Sequence, residues 1–182
     1  AKDNPQSLKS MLKGAEGADM LVTIGGASVG DYDLVKSVLG EEGLDITFSR
    51  VAMRPGKPLI FGTLHGKPML GLPGNPVSAG VTAALFLKPA IDVMLGRDIS
   101  AQERETAILT RDLPENDRRQ DYLRSVLGRN KAGDLTVKPF EKQDSSMLAV
   151  FSSADCLAVR APFAEPAKTG DRIEIIRLDP RG

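Results

Sequence analysis

Three short stretches in the first half of the chain combine glycine or proline with groups that handle anions. They are Gly25-Gly26-Ala27-Ser28-Val29-Gly30-Asp31-Tyr32-Asp33, Arg54-Pro55-Gly56-Lys57-Pro58 and Gly71-Leu72-Pro73-Gly74-Asn75-Pro76-Val77-Ser78. Glycines let backbone N–H groups come close to a ligand, and a helix N-terminus adds partial positive charge that suits phosphate. The first stretch has neither the Walker A spacing nor the dinucleotide fingerprint. A plain strand–turn–helix connection with Asp31 as the cap accounts for it equally well. Asp33 has two readings as well. As an acid in a first helical turn it stabilises the macrodipole by about 0.3–1 kcal/mol. Beside a bound phosphate it needs a cation, and hard oxygen ligands suit Mg²⁺. In the second stretch two prolines stiffen a pair of cations. Residues 45–80 carry Arg50, Arg54, Lys57 and Lys67 against Asp45 alone, a local charge of +3. A solvated turn between strands shows the same composition. In the third stretch Ser78 falls in the first turn of a helix, and Asn75-Pro76 explains that start by capping alone.

The elements around these stretches alternate. Asn4-Pro5 opens a helix with Leu8, Met11, Leu12 and Ala15 on one face, and Met20–Ile24 reads as a buried strand stopped at Gly25. Asp31 precedes a second helix with Leu34, Val35, Val38 and Leu39 inward and Gly43 at its end. Strands follow at Ile46–Val51, Pro58–Leu64 and Met69–Leu72, the last two joined as a hairpin, and a long helix runs from Asn75 to about Leu95, bent at Pro89. This is an α/β pattern with a parallel sheet. In such a sheet the first and third stretches open on one carboxyl edge, where ligand crevices form. That coincidence favours a ligand site. The second half changes character: Thr106–Leu113, Tyr122–Leu127, Leu135–Pro139, Cys156–Arg160 and Arg172–Leu178 are short strands at roughly ten-residue spacing, the pattern of a small β-barrel or sandwich. The expected division is 1–97 for the α/β domain and 98–182 for the β domain.

Composition sets outer limits. The 182 residues balance Lys+Arg 24 against Asp+Glu 24, which argues against a nucleic-acid binder resting on a large cationic face. A lone cysteine, Cys156, excludes an intrachain disulfide and a multi-cysteine zinc site, and points to a reducing compartment. It sits in an apolar strand and reads as a buried structural thiol. The single histidine, His65, reads as an exposed turn residue. No apolar run is expected to span a membrane.

The three stretches, in this order, resemble the molybdopterin molybdenumtransferase family (the MoeA type, which includes the C-terminal domain of gephyrin). Tyr122-Leu123-Arg124, and Ser145-Ser146-Met147-Leu148 through Ala154-Asp155, are similar to that family's terminal β domain. The resemblance implies an incomplete α/β, MogA/MoaB-like parallel-sheet pterin-binding domain followed by a small all-β domain. It implies insertion of molybdate into adenylylated molybdopterin with release of AMP. Asp33 matches the family's essential carboxylate, linked to Mg²⁺, and Lys57 matches a catalytic position. Gly25, Gly26, Ser28, Gly30 and Asp31, with Pro55, Gly56, Gly74 and Asn75, match the loops that hold the molybdopterin. Arg54, Lys57, Ser78, Arg124 and either Ser145 or Ser146 match positions around molybdate, Arg54 standing where the family often has Lys. The resemblance also implies a cytoplasmic homodimer without nucleic-acid or membrane partners. On this reading the chain is a C-terminal piece with an open sheet edge beside Met20–Ile24, inactive on its own because half the cleft belongs to preceding domains. The competing expectation is a non-catalytic molybdopterin-binding or scaffold module.

Overall fold

The structure, a computed structural model, describes residues 4–25, 32–98, 105–144 and 148–178, with the backbone alone for residues 32–36. The chain divides into two compact units: residues 1–51 with 56–83, and residues 52–55 with 84–182.

In the first unit, α1 (Pro5–Gly14) begins at Asn4, whose side chain accepts a hydrogen bond from the Ser7 N–H at 2.8 Å, and Pro5 follows at the first helical position. β1 (Leu21–Ile24) leads towards α2 (Tyr32–Glu41), and Gly43, with φ +89, turns the chain into β2 (Leu44–Phe48). β2 starts and stops earlier than the apolar pattern suggests. Its register shifts between Ile46 and Phe48, and the Phe48 ring packs on Phe61 at 5.6 Å between centroids. After the short β3 (Met53–Arg54), β4 (Ile60–Leu64) and β5 (Lys67–Leu72) form the expected hairpin. Its turn consists of His65 (φ 52) and Gly66 (φ 77), both left-handed, as two-residue hairpin loops require. His65 therefore has a conformational role, and it is exposed.

The sheet order is β1-β5-β4-β2. β1 and β5 are parallel, and the other two pairings are antiparallel, so the sheet is mixed. Leu39, Leu44, Ile60, Leu64 and Met69 form its core, with Leu8, Leu12 and Leu21 packed against them. Lys9 ties α1 to Glu41 and Glu42 at 2.9 and 3.3 Å. Among the described residues β5 is the only neighbour of β1, whose Val22 and Ile24 are exposed.

The long helix is α3 (Pro76–Thr82), a π-helical segment (Ala83–Leu87) and α4 (Lys88–Met94). Pro89 has no N–H to offer the carbonyl four residues back, and the wider π turn falls just before it. Taken whole, Pro76–Met94 is long and apolar enough to cross a membrane by length and composition, contrary to the sequence expectation. Its buried residues instead include Val77, Ser78, Val81 and Thr82, and Asp92 pairs with Lys88 and Arg97 at 2.9 and 2.8 Å. The first part of the helix is thus packed inside, and its last turn is ion-paired, with Ile91, Val93 and Met94 exposed.

The second unit is a closed barrel. β6 (Glu105–Leu109), β7 (Gln120–Arg129), β8 (Leu135–Pro139), β9 (Cys156–Arg160) and β10 (Arg172–Arg177) pair in the circuit β7-β8-β6-β10-β9-β7. α5 (Leu148–Ser152) lies between β8 and β9 in sequence, and β3 adds in parallel to β7 outside the circuit. Closure removes the exposed edges that a flat sheet would leave. Ala107, Leu109, Val137, Cys156, Ala158, Ile173 and Ile175 fill the interior. Burial pushes the Cys156 thiol up to about 12, so it is a small packed apolar group.

One glycine carries a testable constraint. A Cβ on Gly62 would stand 2.2 Å from the Asp45 carbonyl oxygen across the β2–β4 register shift. Backbone cannot yield there as a side chain can. Gly62→Ala is expected to destabilise the first unit by about 1–3 kcal/mol or more, read as a lower urea midpoint; an unchanged midpoint would contradict the packing described.

Candidate functional site

The first and third glycine-rich stretches meet at the carboxyl ends of β1 and β5. Ile24 is in register with Leu72, and the Gly25 N–H donates to the Leu72 carbonyl at 3.1 Å. Gly25 has φ +86, and a Cβ on Gly74 would stand 3.3 Å from the Gly25 Cα, so both positions exploit the absence of a side chain. Asn75 accepts from the N–H groups of Val77 and Ser78, each at 3.1 Å, and Pro76 takes the first helical position. Ser78 is buried in this turn. Among the described residues the edge is thus made of Gly25, the Pro73-Gly74 turn and the start of a helix.

The second stretch divides between the two units. Met53 and Arg54 pair with Gln120 and Asp121 of β7, while the Val51 N–H donates to the Lys57 carbonyl at 3.0 Å. The Arg54–Pro55 peptide is cis, and Gly56 has φ +107. Pro55 and Gly56 are buried, whereas Arg54 and Lys57 are exposed.

Arg54 is the outer wall of a cleft of about 350 Å³ in the barrel unit, lined also by Tyr122, Arg124, Phe140, Gln143 and Arg160. Its guanidinium is paired with Asp121, lies 3.3 Å from Asp117 and reaches Asn116 at 3.5 Å. The hydrogen bond that its guanidinium donates to Asp121 is the main influence holding the Arg54 pKa above its ordinary value. Arg124 is the inner wall. It is 2% exposed, the largest of the fully buried side chains. Gln143 fixes it: Oε1 accepts the Arg124 N–H at 3.0 Å, and Nε2 donates to the carbonyls of Arg124 and Phe140 at 3.0 and 2.9 Å. The guanidinium donates through Nη2 to the Asp144 carbonyl at 3.2 Å, while Nε has no hydrogen-bond partner among the described residues. Burial draws the Arg124 pKa down, and the charges of Asp144 and Asp121 recover only part of that. A buried cation left with part of its desolvation cost uncompensated is a group to which an anion would be attracted.

Of the residues the sequence singles out, Arg54 and Arg124 come together in this cleft, and Gly25, Gly74, Asn75 and Ser78 come together at the sheet edge. Pro55 and Gly56 lie in the connecting loop, with Lys57 at its end. Gly26, Ser28, Gly30, Asp31, Ser145 and Ser146 lie outside the described residues; Asp33 falls in the first turn of α2, and its side chain is likewise outside them. Sequence reasoning missed β3 and the acid it brings to Arg54. An acid three positions before Arg124 was the available signal for Asp121, but the pairing of two residues 67 positions apart is set by strand register. Among the described residues no three His, Cys, Asp or Glu side chains gather as a metal cage.

Comparison with known proteins gives two family-model matches: a probable molybdopterin binding domain over residues 1–93, and the MoeA C-terminal region (domain IV) over residues 106–178. A protein from Haemophilus influenzae named molybdopterin molybdenumtransferase is 32% identical over 168 residues, covering 92% of this chain and 41% of the relative. The Drosophila melanogaster molybdenum cofactor synthesis protein cinnamon is 38% identical over 168 residues, covering 90% of this chain and 26% of the relative. A crystal structure of a molybdopterin biosynthesis MoeA protein from Pyrococcus horikosii superposes with a TM-score of 0.75 at 28% identity, covering 97% of this chain and 42% of that one. The chain therefore spans less than half the length of these relatives.

The cap at the third stretch is separable from any ligand. Asn75→Ala removes the acceptor for two N–H groups and is expected to cost about 0.5–2 kcal/mol, measured as a loss of thermal stability in the absence of anions. A variant as stable as the parent would show that α3 does not depend on this cap.

Proposed function

Because this chain belongs to the molybdopterin molybdenumtransferase family, we propose that it is the part of a longer enzyme that transfers molybdenum from molybdate to adenylylated molybdopterin with release of AMP. The observation that carries this reading is Arg124, buried in the barrel cleft with its charge under-compensated and with Arg54 lining the same cleft. Molybdate is a compact oxyanion, and two guanidiniums offer it charge-assisted, directional hydrogen bonds. Lys57, Ser78 and either Ser145 or Ser146 are proposed as further molybdate contacts on the strength of the family resemblance. So are the loops of Gly25, Gly26, Ser28, Gly30 and Asp31 as the holder of the pterin phosphate, with Pro55, Gly56, Gly74 and Asn75.

Asp33 is proposed as the carboxylate that holds Mg²⁺. Mg²⁺ is commonly held by one or two carboxylates together with substrate phosphates, so the lack of a three-donor cage among the described residues is compatible with it. When bound, the ion would neutralise phosphate oxygens as the adenylate leaves. The work of the chain's own residues is to place the oxyanion, keep its charge compensated and hold the backbone loops open to the phosphate. The proposed enzyme is a cytoplasmic homodimer, with a share of each cleft supplied by the rest of the protein.

Two substitutions in the full-length enzyme test this. Arg124→Ala is expected to lower AMP release from adenylylated molybdopterin by about a hundredfold or more. Asp33→Asn is expected to abolish turnover nearly completely while leaving the melting temperature unchanged. A cap-only role for Asp33 gives the reverse, a small stability loss at full rate. Full-rate AMP release by both variants would favour a non-catalytic binding or scaffold role.

A further inference from the structure

The β7–β8 ladder is interrupted at Arg124. Its last residue pair is Ser125 with Pro139, and one step further the Phe140 N–H donates to the Arg124 carbonyl at 3.0 Å. A regular antiparallel pair would return that bond, from the Arg124 N–H to the Phe140 carbonyl. Here the side-chain amide of Gln143 stands between the two. Its Oε1 accepts the Arg124 N–H at 3.0 Å, while its Nε2 donates to the Phe140 carbonyl at 2.9 Å and to the Arg124 carbonyl at 3.0 Å. One amide carries both a donor and an acceptor, so it satisfies each backbone group that the interrupted ladder would orphan.

This wedge bears on the buried guanidinium. β8 ends at Pro139, and the chain then runs to Asp144, whose carbonyl accepts from Arg124 Nη2 at 3.2 Å. Gln143 is the residue immediately before that carbonyl. It therefore holds Arg124 at both ends, the backbone through its own amide and the guanidinium through the next residue. The same segment continues in sequence to Ser145 and Ser146, the hydroxyls proposed above for molybdate. Both hydrogens of Nε2 are committed to carbonyls and Oε1 only accepts, so the side chain has no donor left for an anion.

We propose that Gln143 is a positioning residue of the oxyanion site: its amide, wedged between β7 and the chain leaving β8, sets where the Arg124 guanidinium stands in the cleft and so how tightly the cleft holds molybdate. The inference rests on the cleft being the molybdate site proposed above. Gln143 acts through Arg124 and does not touch the anion.

Calorimetry on this chain with sodium molybdate tests it. Gln143→Met keeps the length of the side chain and removes the amide. It is expected to weaken molybdate binding about tenfold, the scale of one or two lost hydrogen bonds. Gln143→Asn, an amide one methylene short of its partners, is the second variant, with the same loss expected. Val137→Ala loosens the barrel interior outside the cleft lining, and is expected to lower the melting temperature while leaving the affinity unchanged. In the Arg124→Lys background Gln143→Met is expected to make no further difference, because a residue that acts through another is silent once its target is altered. Parental affinity in either Gln143 variant overturns the inference. An equal loss in Val137→Ala overturns it by reducing the effect to general loosening of the barrel. A further tenfold loss on top of Arg124→Lys overturns it too, since Gln143 would then act independently of Arg124. The underlying reading fails separately: full molybdate binding in Arg124→Ala removes the site, whereas binding lost in Arg124→Ala and full in Gln143→Met removes this inference alone. No binding to the parent chain removes both.

Discussion

The β-barrel depends on one strand. β7 runs for ten residues and pairs with β8, β9 and β3, so it both closes the circuit and carries, among the described residues, the one strand of this sheet that comes from before the barrel in sequence. That arrangement fixes the charges of the cleft. Arg54 arrives on β3 in register with Asp121, and Arg124 follows three residues later on the same strand. Backbone hydrogen bonds along the ladder therefore hold an acid and two guanidiniums together before any side chain chooses a partner. The arginines are positioned by the sheet, and Asp121 pairs with Arg54.

Seen this way, the cleft is a balance between burial and compensation. Arg124 has been taken out of water, and the nearby carboxylates do not fully restore what that costs its charged form. Arg54, half exposed and paired, is the better satisfied of the two. In the sheet unit Gly25 and Gly74 approach closely at the carboxyl ends of the parallel strands β1 and β5.

Much of this was legible in the sequence because it is local. Asn4-Pro5 and Asn75-Pro76 announce helix starts, Gly25 ends β1, and the apolar alternation of the second half marks its strands. The role of His65 needed only the knowledge that a two-residue hairpin turn requires left-handed residues. What stayed hidden is non-local. Nothing in Met53-Arg54 distinguishes a two-residue strand from a loop, since its partner lies beyond a whole domain of sequence. Asp121 read as one acid among many, and only register shows it facing Arg54. The local charge of +3 around Arg54 was real in sequence and is partly cancelled in space, by Asp117 and Asp121 from the other half of the chain. The apolar run of Pro76–Met94 is the converse case, where the ion pairs of Asp92 with Lys88 and Arg97 are visible only in the structure.

The central claim is that the under-compensated guanidinium of Arg124 is the receptor for an oxyanion. The most direct measurement is an anomalous difference map at the molybdenum absorption edge from crystals of this chain soaked in molybdate. The account predicts a peak in the barrel cleft whose surrounding oxygens lie at about 2.7–3.2 Å from the guanidiniums of Arg124 and Arg54. Molybdenum bound elsewhere, with the cleft holding none and Arg124 in its present position, would contradict it.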